Sequence, residues 1–144
     1  MKKSTSVELG SNKLCVIIPF RDRHEHLNIL IPELVDALQT QKLDYRILIV
    51  EQQDGRPFNR GMLLNIGVHH TKASYDNYCF HDVDLIPEVY DYSYCEHPTH
   101  LSQFCSQFDY KMPYDYLFGG VTMFDRESFL KVNGYSNLYW GELS

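Results

Sequence analysis

Two short apolar runs rich in β-branched residues constrain the fold of this chain more than any other feature. Residues 14–19 read LCVIIP and residues 45–52 read YRILIVEQ. Such runs are typical of strands buried in a parallel sheet. The segment between them predicts an amphipathic helix that ends near Gln41, with Pro32 expected to kink it or to mark its restart. Its apolar stripe comprises Leu27, Leu30, Ile31, Leu34, Val35 and Leu38.

The alternation of predicted strands and helices continues along the chain. Asn59 can cap a second helix that runs to about residue 70, and residues 75–82 (YDNYCFHD) lead into a third strand. Later, residues 117–124 (LFGGVTMF) predict a further strand, and Asp125 can cap a last helix that Gly134 would stop. Strands that alternate with helices in this way predict an α/β fold, an open and mostly parallel sheet flanked by helices.

Composition is that of one globular domain. The chain has 144 residues, of which 44% are hydrophobic and 22% charged. We expect residues 1–12 to be a flexible lead-in and residues 13–144 to form a single domain. The net charge of −6 argues against binding to nucleic acid. No stretch approaches the ~18 apolar residues that span a bilayer, and no signal peptide opens the chain, so we expect no membrane-spanning segment in it.

The cysteines and histidines give no metal-binding pattern. The cysteines show no CxxC spacing, which argues against zinc; they are Cys15, Cys79, Cys95 and Cys105. A bridge between Cys79 and Cys95 would stabilise the fold by about 3 kcal/mol in an oxidising compartment, and two buried thiols are the alternative. The seven histidines form no HExxH motif, so we expect each to be structural or exposed.

Two aspartates, Asp82 and Asp84, stand one residue apart after the third predicted strand. In an extended backbone their carboxylates would share a face, and their mutual repulsion would call for a neighbouring cation. Hard oxygen ligands suit Mg²⁺ or Mn²⁺, which in turn can bind a diphosphate. The alternative reading is a turn or a capping acid in a solvated loop.

Arginines accompany these acids in the predicted fold. Arg21 and Arg23 follow the first strand, and Arg60 stands at the start of the second helix. Ligands of open α/β sheets bind beyond the carboxyl ends of the strands, so guanidinium groups there would suit the phosphates of a nucleoside diphosphate. Surface salt bridges and an ordinary helix start are the alternatives. The chain has no GxxxxGK loop, which excludes a P-loop enzyme.

Five ordered segments carry a resemblance to a known family. They are PFRDR (19–23), FNRGMLLNIG (58–67), CFHDVDLIP (79–87), MPYDYLFGGVTMF (112–124) and FLKVNGYSNLYWG (129–141). In order and spacing they resemble the β-1,4-galactosyltransferases. The resemblance implies a GT-A-like, Rossmann-type fold and an enzyme that transfers galactose from UDP-galactose to a sugar acceptor, with inversion and with Mn²⁺ as cofactor.

The resemblance also implies roles for individual residues. It places Asp84 as the metal ligand, and Cys79 and Cys95 as the family's cysteine pair. The residues implied in nucleotide-sugar binding are Pro19, Phe20, Arg21, Arg23, Phe58, Arg60, Asp82, Val83 and Gly120. Those implied in lining the acceptor cleft are Tyr114, Gly119 and Trp140.

The chain departs from the family pattern after Gly141. The family continues with a second tryptophan and a Glu-Asp run that carries the catalytic carboxylates, whereas here Glu142 follows. We therefore expect the domain to be incomplete at this end, the base to lie beyond Ser144, and transfer by this chain to be weak or absent. Two alternatives are a catalytically silent UDP-binding remnant and a different metal-dependent nucleotidyl- or phosphotransferase.

Partners and location follow from the resemblance alone. It implies UDP-galactose as donor and a sugar of a glycoprotein, glycolipid or proteoglycan linker as acceptor. The motifs are divided between acceptors of the N-acetylglucosamine type and the xylose type. The Golgi lumen is the implied location.

Overall fold

A computed structural model of the chain describes residues 13–85, 87, 91–92, 99–100 and 120–137. The predicted lead-in, residues 1–12, lies outside this described part. The elements are β1 (Lys13–Phe20), α1 (His24–Thr40), β2 (Asp44–Glu51), α2 (Arg60–Thr71), β3 (Asn77–His81), β4 (Thr99–His100), β5 (Val121–Asp125) and α3 (Arg126–Lys131). Among these helices, none is long and apolar enough to cross a membrane.

The described strands form one mixed sheet in the order β2-β1-β3-β5-β4. Strand β1 pairs in parallel with β2 on one side and with β3 on the other. Strand β5 is antiparallel to both β3 and β4. The predicted α/β fold, a mostly parallel sheet flanked by helices, is confirmed.

Strand β1 lies between two apolar layers, one on each face of the sheet. Because successive side chains of a strand point to opposite faces, Val16 and Ile18 pack in the layer that contains α1. Cys15 and Ile17 pack in the other layer, with residues of α2 and with Phe129. Every residue of β1 after Lys13 is buried, which explains its continuous apolar sequence.

Helix α1 confirms the predicted stripe, since its buried residues are Leu30, Leu34 and Leu38. The helix continues through Pro32 without a restart. Proline lacks the N–H that would bond to the preceding turn. The exposure of Pro32 is consistent with this tolerance, because water can satisfy the carbonyl left without a partner.

The predicted caps of the other two helices are confirmed. The side chain of Asn59 accepts a hydrogen bond from the backbone N–H of Met62 (3.0 Å), and that of Asp125 accepts one from Ser128 (3.0 Å). Beyond the end of α3, Gly134 has a φ of 70° and donates its N–H to the carbonyl of Phe129 (3.0 Å). The first left-handed residue after α3 is Asn133 (φ 64°), whose N–H donates to the carbonyl of Leu130 (3.1 Å), so the helix stops at Asn133 together with the predicted Gly134.

Gly67 allows α2 to pack closely on the centre of β1. A Cβ atom at this position would lie 2.8 Å from Cδ1 and 2.9 Å from Cγ2 of Ile17. Both residues are buried, so the neighbouring side chain has little room to move. The absence of a side chain at Gly67 therefore sets the distance between helix and sheet.

We predict that Gly67→Ala destabilises the protein by about 1–3 kcal/mol, because an overpacked core must shift backbone or rotamers. Urea unfolding would measure this loss. Gly55→Ala is the matched control: a Cβ there meets nothing within 4 Å, and its effect should stay within about 0.5 kcal/mol. Equal stabilities of the two variants would contradict this account of the packing.

His81, the last residue of β3, is fully buried. Its Nδ1 lies 3.0 Å from the backbone carbonyl oxygen of Asp82, and its Nε2 lies 3.3 Å from the hydroxyl of Tyr92. Burial lowers the pKa of the imidazole from 6.5 to about 4, and the carbonyl and carboxylate of Asp82 offset this only in part. His81 is therefore a neutral structural residue near pH 7, as expected from the sequence.

We predict a pH-dependent loss of stability from His81 in the metal-free protein. Its pKa is lower in the folded state, so the unfolded state binds more protons between pH 6.5 and pH 4. The free energy of unfolding is therefore highest above pH 6.5, and the part that depends on His81 falls by up to about 3 kcal/mol as the pH drops to 4. Chemical denaturation across this range should show a steeper loss for the wild type than for His81→Gln. Identical pH profiles would contradict the prediction.

Candidate functional site

The carboxyl ends of three parallel strands place polar residues at one edge of the sheet. Strands β1, β2 and β3 end at Phe20, Glu51 and His81, and the next residues along the chain are Arg21, Gln52 and Asp82. Parallel strands share one direction, so the loops that follow them emerge at the same edge. The expectation that the arginine and aspartate segments lie at such ends is confirmed.

Gln52 organises the loop that follows β2, a role that the sequence analysis missed. Its side chain is buried, accepts from the N–H of Asn59 (2.8 Å) and donates to the side chain of Asp54 (2.9 Å) and the carbonyl of Pro57 (3.0 Å). Its own N–H donates to the carbonyl of Phe20 (3.0 Å). Through its backbone N–H and its side-chain amide, Gln52 thus ties the end of β1 to the start of α2. A polar residue directly after a buried strand was the available signal.

Arg21 reaches across to the same loop. Its Nη1 donates to the carbonyls of Arg56 (2.6 Å) and Asp54 (3.3 Å). The guanidinium carbon lies 5.7 Å from the centre of the Phe58 ring, a cation–π contact. Arg21 and Phe58, which were predicted from distant motifs, therefore lie side by side.

Arg60 and Asp82 form the central charged pair of this edge. Nε of Arg60 lies 2.6 Å from Oδ1 of Asp82, and the two side chains are 23% and 28% exposed. Burial alone would lower the pKa of the Arg60 guanidinium, but the charge of Asp82 is the largest effect in the opposite direction and the pKa stays above its ordinary value. The N–H of Asp82 donates to the carbonyl of Gly120 (2.9 Å), whose φ is 75°. Three predicted residues thus meet here.

Two polar atoms near this pair are buried without a hydrogen-bond partner. Among the residues that the structure describes, they are Nη2 of Arg60 and the hydroxyl oxygen of Tyr135. The guanidinium carbon of Arg60 lies 5.7 Å from the centre of the Tyr135 ring. Buried donors are normally paired, so these two atoms, which act on each other electrostatically, are polar groups of this edge that lack a full set of partners.

Asp84 lies in a turn instead of extending the strand, so the expectation of an extended Asp-Val-Asp segment was wrong. Strand β3 ends at His81, and the N–H of Leu85 donates to the carbonyl of Asp82 (3.4 Å). Val83 and Leu85, on either side of Asp84, are both buried in the apolar layer. The carboxylate of Asp84 is exposed.

The residues at this edge of the sheet fit one kind of metal site, in which the substrate supplies part of the ligands. Within the described ranges, no group of three or more histidine, cysteine, aspartate or glutamate side chains is placed to hold a metal. The exposed carboxylate of Asp84 is a hard oxygen ligand at the same edge of the sheet as Arg21 and Arg60. Small hard cations are commonly held by one or two carboxylates together with substrate phosphates and water, and Asp84 suits that kind of site.

The remaining predicted residues divide into three groups. Pro19, Phe20 and Val83 have buried side chains, so only their backbone is available to a ligand. Arg23 is partly exposed and stands at the position that precedes α1. The others lie outside the described residues, so their roles and the bridge between Cys79 and Cys95 stay predictions; they are Tyr114, Gly119, Trp140 and Cys95.

Asn65 is a second residue that the sequence analysis missed. Its side chain accepts from the N–H of Tyr135 (2.9 Å) and donates to the carbonyl of the same residue (2.7 Å). Nearby, the Asn59 amide donates to the carbonyl of Asn137 (2.8 Å). These contacts join residues about 70 positions apart, so no local spacing could have indicated them.

Comparison with known proteins places the whole described region in one family. The family model described as the N-terminal region of glycosyl transferase group 7 matches residues 8–96. The model described as the N-terminal domain of galactosyltransferase matches residues 99–141.

Individual relatives agree with the family models. The chain is 43% identical to β-1,4-galactosyltransferase 4 of Homo sapiens and 42% identical to β-1,4-galactosyltransferase 5 of Sus scrofa, over 90% of its own length in each case. It spans 39% and 34% of the length of these relatives.

A solved structure shows the same fold. It is a mutant of the Drosophila β-1,4-galactosyltransferase 7 in complex with manganese, UDP-Gal and xylobiose. That chain aligns with a TM-score of 0.80 and 33% identity, covering 92% of this chain and 57% of the other. Five ordered motifs, two family models and a shared GT-A fold agree: the chain belongs to the β-1,4-galactosyltransferase family of glycosyl transferase group 7.

Proposed function

We propose that the carboxyl edge of the sheet binds the nucleotide of UDP-galactose, and that the whole protein transfers galactose from it to a sugar acceptor with inversion. The observation that carries this proposal is the convergence of Arg21, Arg60 and Asp82 at one edge. Guanidinium groups are the protein's strongest partners for phosphate. Family membership supports the same donor, and the Drosophila relative was solved with UDP-Gal.

The Arg21 and Phe58 pair forms the proposed uridine end of the site. The ring of Phe58 is half-buried and held beneath a cation, so it offers a fixed aromatic surface beside which a base can pack. Gln52 fixes the loop that carries it. Pro19, Phe20 and Arg23 border this end, the first two through their backbone and Arg23 through its charge.

Arg60 and Asp82 form the proposed diphosphate and sugar end. Asp82 already accepts from Nε of Arg60, which leaves Nη2 for a ligand oxygen. Asp82 retains a second carboxylate oxygen that can accept a hydrogen bond from a ligand hydroxyl. Gly120, in a left-handed conformation that favours glycine, accepts the N–H of Asp82 through its carbonyl, and Val83 anchors the turn from the buried side.

Asp84 is the proposed protein ligand of Mn²⁺. When bound, the ion would neutralise negative charge that develops on the UDP leaving group. The presence of manganese in the structure of the Drosophila relative supports this cofactor. The role of Asp84 itself is to hold a hard cation at the mouth of the site, close to the arginines.

The proposal also covers the acceptor sugar and the location of the protein in the cell. We assign the acceptor cleft to Tyr114, Gly119 and Trp140, following the family motifs. Either an N-acetylglucosamine-type or a xylose-type acceptor fits those motifs, and the xylobiose bound by the Drosophila relative supports the xylose type. The Golgi lumen is the proposed location by analogy with the family.

We predict that UDP binds this chain in a manganese-dependent manner and that Asp84→Asn weakens that binding at least about 10-fold, the smallest loss typical even of residues one step removed from a metal. The substitution removes the charge and preserves the shape of the side chain. Titration calorimetry with UDP, in the presence and absence of Mn²⁺, is the measurement. Binding without Mn²⁺ should be the same in both proteins.

Asp44→Asn provides the matched control. Asp44 is also an exposed aspartate, but it begins β2 and so lies at the opposite edge of the sheet. Its replacement should leave UDP binding unchanged. If Mn²⁺ had no effect on UDP binding, or if Asp84→Asn behaved like Asp44→Asn, the proposed metal site would be refuted.

A further inference from the structure

Residues 134–137, here named the docked loop, are held against helix α2 by side-chain amides. Asn65 forms two hydrogen bonds with the backbone of Tyr135, one in each direction, and its Nδ2 also donates to the Asn137 side chain (2.8 Å). Asn59 adds a bond to the backbone of Asn137 (2.8 Å). The backbone of Tyr135 is therefore fixed in both its donor and its acceptor.

Two glycines make this close contact possible. A Cβ atom at Gly61 would lie 2.6 Å from the carbonyl oxygen of Ser136, and one at Gly134 would lie 2.6 Å from the side-chain oxygen of Asn65. Either distance is too short for a real side chain. The docked loop thus lies directly on the first turns of α2, the helix that starts with Arg60.

The side chain of Tyr135 links the core to Arg60. Its ring packs edge-on against Phe80 (5.6 Å between centres) and at a tilt against Phe129 (6.0 Å). The guanidinium carbon of Arg60 lies 5.7 Å from the centre of the same ring. Burial raises the pKa of the Tyr135 hydroxyl, and Arg60 offsets only part of that rise, so the tyrosine is neutral beside the cation.

We propose that Tyr135 and Asn65 are positioning residues for the donor site, and this inference rests on the proposed function. Asn65 fixes the backbone of Tyr135, whose aromatic face lies 5.7 Å from the Arg60 guanidinium carbon, while Asp82 accepts from Nε. A guanidinium held by two groups in this way keeps Nη2 in a fixed direction and loses little side-chain freedom on binding. Neither residue needs to touch the nucleotide.

The aromatic face of Tyr135 carries the proposed effect, since the hydroxyl makes no hydrogen bond of normal length to Arg60. The hydroxyl oxygen is buried and has no hydrogen-bond partner among the residues described by the structure. Tyr135→Phe keeps the ring and should bind UDP as the wild type does. Tyr135→Leu removes the ring and should weaken UDP binding about 3- to 10-fold, as expected for the loss of a partly desolvated cation–π contact.

A double-mutant cycle tests whether Tyr135 acts through Arg60. Arg60→Gln removes the cation but can still donate to Asp82. In that background Tyr135→Leu should change the affinity for UDP less than about 2-fold, because residues that act through one contact are not additive. Calorimetry with UDP and Mn²⁺ below the unfolding temperature of every variant is the measurement. The Nε–H resonance of Arg60 should shift in Tyr135→Leu and remain in place in Tyr135→Phe.

Asn65→Leu should behave like Tyr135→Leu, with a loss of UDP affinity that disappears in the Arg60→Gln background. Asn28→Leu is the matched control, since Asn28 is an exposed asparagine of helix α1, and it should have no effect. Equal losses in both Arg60 backgrounds, or a loss in Tyr135→Phe, would overturn this inference alone. Absence of UDP binding by the wild-type chain would overturn the proposed function as well.

Discussion

The parallel pairing of β1 with both of its neighbours is the constraint on which the rest of the structure depends. It aligns the ends of β1, β2 and β3, so that chain segments distant in sequence leave the sheet at one edge. The buried, β-branched sequence of β1 makes this central position favourable, because both of its faces are covered. The site therefore follows from the sheet, and its side chains are supplied by the loops.

At that edge, one ion pair joins the start of α2 to the end of β3. The Arg60 and Asp82 contact is short and only partly exposed, so each charge compensates the cost of burying the other. It also explains why the two aspartates take different roles: the carboxylate of Asp82 faces Arg60, while the turn after it leaves that of Asp84 exposed. A pair of acids that looks symmetric in the sequence is asymmetric in the fold.

The sequence predicted those strands, helices and helix caps that depend on a local pattern of residues. Strand β4 (Thr99–His100) was not predicted, but the other strands and helices in the described ranges match, because the apolar runs, the stripe of α1 and the caps at Asn59 and Asp125 are local signals. The turn at Asp84 escaped prediction, since Val83 and Leu85 are buried and Asp84 is exposed as in a strand, so the apolar pattern gives no sign of the turn. Gln52, Asn65 and Tyr135 escaped it too, because their roles arise from contacts across the fold.

The central claim is that this edge of the sheet is the nucleotide site, and a crystal structure of the chain with UDP and Mn²⁺ tests it most directly. The account predicts the uracil ring beside Phe58, a phosphate or sugar oxygen within hydrogen-bonding distance of Nη2 of Arg60, and the ion on Asp84. A groove of about 750 Å³ lies between α2 and α3 and is bordered by the docked loop, and neither Arg21, Arg60 nor Asp82 lines it. UDP bound in that groove, with the arginines free of contact to it, would contradict the account.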